Sequence, residues 1–490
     1  MMRRHALLVV SNRLPFNVES KDGVCRIEKS SGGLVSALLP LLRSNGGTWV
    51  GWTGTDDSKR SLWEAFQQRA APFGMIPVFL TPEEQNSYYR GFSNEVIWPL
   101  FHGVPSRCRF HSSYWEGYRA VNEKFADAVE QAAEERGFIW VHDYHLMMIA
   151  LSLRKRGLKQ RLAYFLHIPF PTVDIFEVLP WRLEILNALL QFDSIGFQTL
   201  RDRNNFVSCL RRCVSGLRVR QIGDSFIVRA GGRYSVIGTY PVSVDYNAIE
   251  AEASGPSAVT AAAQIRAQLA NGQVVLGVDR LDYTKGIPER LIAFQTFLES
   301  NPGFRGSVTL LQIVVPSRVD IPEYAELKLN IERLVGEING RYSKPGWIPI
   351  HYFYRSVSQS ELIAFYKAAN VALVTPLKDG MNLVAKEFCV SRTDLRGVLV
   401  LSEFAGAAEE LKCGALLVNP HDTDSAASAI HEALRMNEHD QRVRMHAMRC
   451  QIQSHDVFHW APAFKAFTHS MISASDFLEE DNLLTLAPSG

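Results

Sequence analysis

Short, almost unbroken apolar runs recur along the chain, each bounded by turn residues and followed by a stretch with helical spacing. The first series lies at 6–11, 48–52, 75–80, 138–142, 161–166 and 194–197, with helical patterns between the runs, among them 114–136 and 146–156. Continuous apolar strands separated by helices predict a parallel sheet covered on both faces. Chain rich in Ala, Glu, Ser and Gly at 247–261 interrupts this pattern and marks a boundary. A second series follows at 273–278, 308–314, 347–352, 371–375, 398–402 and 415–418, with helical patterns at 288–300, 323–339, 358–369 and 422–436. The expected class is therefore α/β, with two doubly wound, Rossmann-like domains. Helical spacing resumes at 457–471, and 473–490 has no clear period.

Composition narrows the class of partner. The 490 residues are 47% hydrophobic, enough for more than one core. With 52 basic and 51 acidic residues the net charge is +1, so neither nucleic acid nor another polyanion is expected as a partner. Any preference for phosphate must come from local placement of Arg and Lys. The opening MMRRHALLVVSNRLPF has a basic start and an apolar run, as a signal peptide does. The run is short, however, and Ser11-Asn12-Arg13 stands where a small-residue cleavage site belongs, so it reads as a first buried strand. No run reaches the ~18 consecutive apolar residues of a membrane span, and no membrane partner is expected. Seven cysteines, an odd number without metal-ligand pairs, fit the reduced thiols of a cytoplasm.

Candidate chemistry clusters just past the strands. In Gly277-Val278-Asp279-Arg280-Leu281-Asp282-Tyr283-Thr284-Lys285-Gly286 two cations follow a buried strand within one loop. Such a pair suits a diphosphate whose charge grows on departure. A surface salt-bridge loop with Asp279 and Asp282 is the plainer alternative. In Val374-Thr375-Pro376-Leu377-Lys378-Asp379-Gly380-Met381-Asn382-Leu383-Val384-Ala385-Lys386-Glu387 a strand again leads into a helix. Free N–H groups at the helix start can cradle phosphate oxygens, and Glu387 can grip vicinal ribose hydroxyls. Asp379 reads as a sugar ligand or as a plain helix cap. Ser31-Gly32-Gly33-Leu34 opens another helix and offers a second phosphate cradle, and Arg13 ends the first strand. Val141-His142-Asp143-Tyr144-His145 and Leu166-His167-Ile168-Pro169 also follow strands; there Asp143 can hold substrate hydroxyls, whereas a lone His is more often packed. The two His of HDYHL lack the spacing of metal ligands, and no metal or other cofactor is expected. Ser87-Tyr88-Tyr89-Arg90-Gly91-Phe92-Ser93-Asn94 with Trp98 offers aromatic faces to a sugar, or simple core packing.

Jointly, SNR, SGGL, SYYRGFSNEVIWP, WVHDYHL, FLHIPFP, DRLDYTKG, TPLKDGMNLVAKE and LSEFAGAAEEL, in this order from Ser11 to about Glu410, resemble the trehalose-phosphate synthase family of retaining glycosyltransferases. The resemblance implies a GT-B fold: an acceptor domain over 1–245, a donor domain over 246–455, a helix over 456–475 crossing back to the first domain, and a tail over 476–490. The two domains face each other across a cleft. It implies that Arg13, Tyr89, Trp98, Asp143 and Arg318 hold a glucose 6-phosphate acceptor. The donor, a nucleoside-diphosphate glucose such as UDP-glucose, falls to Gly32, His167, Arg280, Lys285, Asp379, Gly380, Met381, Asn382, Leu383 and Glu387. Asp143, His167, Arg280 and Lys285 stand nearest the reaction, a front-face transfer whose product is trehalose 6-phosphate. A homo-oligomer is compatible with this reading. Rival readings on the same fold are a synthase with a glycerol-phosphate or validoxylamine-type acceptor, and a catalytically silent sugar-phosphate sensor. The intact donor set Arg280, Lys285, Asp379 and Glu387 favours an enzyme. Two stretches stay outside the pattern: 214–240, and 17–28, which reads as a variable loop.

Overall fold

The computed structural model describes residues 7–21, 24–29, 33–70, 73–134, 137–269, 272–318 and 321–470. They form two compact units. One runs to Pro241 and resumes at Phe458; the other is Val242–Val457.

The first unit is built on a nine-stranded sheet. From one edge its strands are Gly74–Val78, Thr48–Trp52, Leu7–Arg13, Phe138–His142, Arg161–Phe165, Ser194–Phe197, Arg233–Thr239, Ser225–Ala230 and Arg218–Ile222. The first seven are parallel, and the last three meander, each pairing antiparallel with the next. Phe138–His142 is buried at every position because helices cover both faces, which is why it reads as an unbroken apolar run. The unassigned stretch 214–240 supplies the last three strands. Gly231 and Gly232, with φ of 55° and 80°, make the tight turn between two of them. The expected loop over 17–28 is instead part of a separate antiparallel hairpin, Phe16–Lys21 with Val24–Lys29. The helix Val457–Ser470 packs on this sheet through Trp460 and Phe464, whose rings lie 4.9 and 5.1 Å from that of Trp140. Thr468 Oγ1 meets Ser194 Oγ at 2.9 Å. Residues 471–475 of the expected crossing helix, and the tail, lie outside the described residues.

The second unit holds a six-stranded parallel sheet in the order Ile350–Tyr354, Val308–Val315, Gln273–Arg280, Val371–Val374, Val398–Ser402 and Leu416–Val418. Phe294, Phe297, Leu310 and Ile331 sit in its core. The stretch 247–261, read as an interruption, forms parts of two helices of this unit, Tyr246–Ser254 and Pro256–Gln268. Alanine favours helix strongly while adding little apolar surface, so the periodic signal was faint.

Candidate active site

In the first unit Arg13 closes its strand. The register slips between Val10, opposite Val50, and Arg13, opposite Trp52. This irregularity re-aims the side chain, and the guanidinium carbon stands 3.9 Å from the Trp52 ring centroid and 5.7 Å from that of Tyr89. A desolvated cation over aromatic faces gains about 2 kcal/mol. Gly54, at φ +85°, leaves the room: a Cβ there would fall 2.0 Å from Arg13 Nη1.

From Tyr89 a run of rings continues through the unit. Tyr89 stacks on His145 at 6.0 Å, and tilted contacts follow between His145 and Tyr144 at 3.9 Å and between Tyr144 and Trp98 at 5.7 Å. Tyr89 lies in a thirteen-residue π-helix, Gln85–Ile97, which ends against Trp98. π-Helical turns are rare and cluster at functional sites. Trp98 is almost wholly buried, as core packing requires.

Asp143 follows the strand Phe138–His142 with φ +73° and ψ 167°, a conformation that costs a non-glycine residue ~1–3 kcal/mol. Its N–H donates to Phe165 O at 2.8 Å, and its Oδ1 accepts from the His167 backbone N–H at 3.4 Å. The His167 ring is buried, which pushes its pKa down to about 3. It is therefore neutral at physiological pH. The two His of HDYHL go separate ways: His142 meets His167, and His145 stacks on Tyr89. Among the described residues no three His, Cys, Asp or Glu side chains are grouped to hold a metal ion. Arg13, Tyr89 and Trp98 are thus linked through Trp52, His145 and Tyr144, and Asp143, which precedes Tyr144 in the chain, is tied to His167.

In the second unit the strand Gln273–Arg280 ends with an exposed Arg280. Asp282 Oδ1 then accepts from the Thr284 N–H at 3.0 Å and the Thr284 hydroxyl at 2.9 Å, closing a tight turn over Tyr283–Lys285. Gly286 follows at φ +62°; a Cβ there would lie 2.4 Å from Thr375 O, so only glycine lets this turn press against the neighbouring strand end. The Leu377 N–H donates to Thr284 O at 2.8 Å. Lys285 Nζ reaches Asp379 Oδ2 at 2.5 Å, and Asn382 Nδ2 donates to the same oxygen at 3.1 Å.

Asp379 does not cap the helix. Asn382, at φ +79°, takes that place before Leu383–Ser391, its Oδ1 accepting from the Ala385 N–H at 3.3 Å. Asp379 lies too far upstream and is drawn to Lys285. The LSEFAGAAEEL block braces this loop: Ala407 N–H donates to Met381 O at 2.8 Å and Gly406 N–H to Asp379 O at 3.1 Å. Glu387, in the helix Leu383–Ser391, accepts from the Tyr366 hydroxyl at 2.9 Å. Burial raises its carboxyl to about 7, and the hydroxyl only partly offsets this.

Arg318, at φ +49°, pairs through Nη1 with Asp282 Oδ2 at 3.1 Å and meets the Tyr324 hydroxyl. Burial pushes the Asp282 carboxyl up, but Arg318, Lys285 and Arg280 together bring it below the usual range. Of the four non-glycine residues with positive φ among the described residues, three are Asp143, Arg318 and Asn382. Backbone strain thus gathers at the candidate residues. Arg318 belongs to the second unit, and the other four acceptor candidates belong to the first. Gly32 lies outside the described residues. The sequence reading missed Trp52, Tyr144, Tyr324 and Tyr366. Trp52 had a signal: it ends the strand beside that of Arg13.

Residues 5–469 match glycosyltransferase family 20. The chain belongs to that family. It is a glycosyltransferase with the GT-B class of fold, two Rossmann-like α/β units. The family 20 chain is 42% identical over 467 residues to the trehalose-6-phosphate synthase of Mycolicibacterium smegmatis, covering 93% of this chain and 91% of that protein. A bifunctional trehalose-6-phosphate synthase/phosphatase of Thermoproteus tenax is 41% identical over 485 residues, 97% of this chain; the chain spans 64% of that longer relative. Among solved structures, an alpha,alpha-trehalose-phosphate synthase (UDP-forming) from Burkholderia xenovorans in complex with glucose-6-phosphate gives a TM-score of 0.87 at 34% identity, covering 95% of this chain and all of that one. An E. coli structure described as trehalose-6-phosphate bound with UDP-2-fluoro glucose gives 0.85 at 36% identity, covering 95% and 99% of the two chains.

Proposed function

We propose that this family 20 enzyme transfers glucose from UDP-glucose to glucose 6-phosphate with retention of configuration, forming trehalose 6-phosphate. The observation that carries the proposal is the donor half-site. One cation, Lys285, is held by Asp379 in the loop that precedes the helix Leu383–Ser391, Arg280 is exposed at the end of the strand before that cation, and Glu387 lies within the helix. Support for this donor and acceptor comes from the relatives, whose descriptions name a UDP-forming synthase, glucose-6-phosphate and UDP-2-fluoro glucose.

On this reading Arg280, Lys285 and the amides of Gly380, Met381, Asn382 and Leu383 offset the charge that grows on the departing diphosphate. Glu387 holds the ribose, and Gly32 belongs to the donor loop. Asp143 and His167 touch the sugars. Arg13, Tyr89, Trp98 and Arg318 are the residues assigned to the acceptor, where a guanidinium suits its phosphate. The acceptor hydroxyl enters on the face that the diphosphate leaves. Activity then survives exhaustive EDTA treatment, because side chains and amides carry the counter-charge; loss restored by a divalent ion refutes that part. For its compartment the proposal is the cytoplasm, on the odd count of seven cysteines. Product analysis with UDP-, ADP- and GDP-glucose against glucose 6-phosphate tests the whole: a non-reducing disaccharide phosphate is expected, formed fastest from UDP-glucose. No such product from any donor overturns the proposal.

A further inference from the structure

His142 ends the strand Phe138–His142 and is fully buried. Its Nδ1 lies 3.1 Å from Nε2 of His167, which follows the neighbouring strand Arg161–Phe165. The other ring nitrogen of His167, Nδ1, is 3.4 Å from the side-chain amide nitrogen of Gln198. A carboxamide nitrogen only donates, so His167 Nδ1 carries the lone pair, and a neutral ring then holds its proton on Nε2. That N–H donates to His142 Nδ1, which obliges His142 to hold its own proton on Nε2 as well.

His142 Nε2 is buried and has no hydrogen-bond partner among the described residues. Aromatic rings surround it instead, Trp140 at 4.6 Å and Trp460 at 6.4 Å between centroids. Trp460 also faces His167 at 6.3 Å and is fixed by its indole N–H, donated to Tyr240 O at 3.0 Å. The carboxylate of Asp143 takes the backbone N–H of His167 at 3.4 Å. A buried, unpartnered N–H is a cost that phenylalanine at 142 would avoid. The fold accepts that cost where the other nitrogen of the same ring holds His167.

We infer that His142 is a positioning residue: with Gln198 it locks His167 in the Nε2–H tautomer, so that the ring meets the donor sugar as a fixed, neutral surface and exchanges no proton during transfer. This rests on the reading of His167 as a donor contact. Both nitrogens of His167 are committed to the protein, and burial presses both rings toward the neutral form. The arrangement supplies shape and orientation where a bare imidazole would rotate and titrate.

The test uses the full chain with 15N-labelled histidine and long-range 1H–15N correlation. His142 and His167 are expected as neutral Nε2–H tautomers, unchanged from roughly pH 5 to pH 8. In His142→Phe the His167 signals should lose that single tautomer, and kcat with both substrates saturating should fall roughly 10-fold or more, with the KM for glucose 6-phosphate unchanged. His142→Asn, whose Oδ1 can accept the same N–H, should restore the tautomer and most of kcat. A charged or Nδ1–H His167 in the wild type overturns the inference, as does wild-type kcat in His142→Phe or an Asn variant as impaired as the Phe one. If His142→Phe does not fold, the wild-type tautomer and the Asn variant decide alone. A wild type that transfers no glucose to glucose 6-phosphate strikes the proposed function instead, while the tautomer measurement on the free protein still stands.

Discussion

Lys285 Nζ and Asp379 Oδ2 lie 2.5 Å apart, joining the turns that follow two neighbouring strands, Gln273–Arg280 and Val371–Val374. Both side chains are mostly buried, so the pair is little screened and holds the ammonium in place before any ligand arrives. A preset cation needs no reorganisation when charge develops beside it.

This sets the first expectation. Lys285→Ala and Arg280→Ala should each lower turnover by about 2.7–4 kcal/mol in transition-state terms, the loss seen when one such donor is removed. Arg280 is exposed at a strand end, so its replacement should leave the melting temperature where it was. Turnover at saturating donor and thermal denaturation check the two statements. Wild-type turnover in either variant removes the diphosphate assignment.

Glu387 gives a pH dependence. Burial raises its carboxyl from 4.5 to about 7 in the free protein. Between those values the folded chain keeps a proton that the unfolded chain has lost. Its contribution to stability is therefore full below pH 4.5 and is lost as pH rises through 7. Ribose hydroxyls donate to a carboxylate and so favour the ionised form. The KM for the nucleotide-sugar should accordingly fall as pH rises through about 7, and Glu387→Gln should abolish that dependence. A donor KM with the same pH profile in both proteins would contradict the ribose role.

The scaffold beneath the donor turn has its own test. Arg290 and Asp279 form an ion pair at 2.5 Å with side chains 0% and 3% exposed, and Arg290 also reaches Thr375 Oγ1 at 3.1 Å. Arg290→Met keeps apolar bulk but strands the Asp279 charge in the core. Breaking one side of a buried pair costs about 3–5 kcal/mol, which urea denaturation should register. A change within experimental error would mean that the pair contributes nothing to the fold.

Much of this architecture was legible because buried parallel strands are written as continuous apolar runs: 371–375 and 398–402 stand out for that reason. The strands Arg218–Ile222 and Arg233–Thr239 were not, because Arg218 and Arg220 alternate with the apolar residues of the edge strand and Arg233-Tyr234-Ser235 opens the other with polar groups. Gln85–Ile97 could be seen as aromatic and polar, but nothing in apolar spacing reveals that its hydrogen bonds run one residue longer than in an α-helix. Strings such as DRLDYTKG name the site residues, yet not their partners. Asp282 with Arg318 spans 36 positions and Tyr366 with Glu387 spans 21, and such pairings exist only once the strands are in register.

The acceptor decides between glucose 6-phosphate and its rivals, and Arg318 is the residue on which that choice turns. Its guanidinium holds Asp282 and the Tyr324 hydroxyl through Nη1, on a backbone kept at positive φ. A planar fork can keep those partners and still present N–H groups to a phosphate, whereas an ammonium must divide its donors among all of them. Arg318→Lys should therefore weaken glucose 6-phosphate by about 1.5–3 kcal/mol, the range of a hydrogen bond to a charged group, while the donor KM stays near its wild-type value. In the wild type, unphosphorylated glucose should be a poor acceptor, since it brings no anion to Arg13, which stands largely desolvated over Trp52. Initial rates against acceptor concentration, with donor saturating, measure both effects. Glucose or glycerol phosphate working as well as glucose 6-phosphate would sink the acceptor assignment and leave only the donor half, because Arg280, Lys285 and Glu387 do not depend on it.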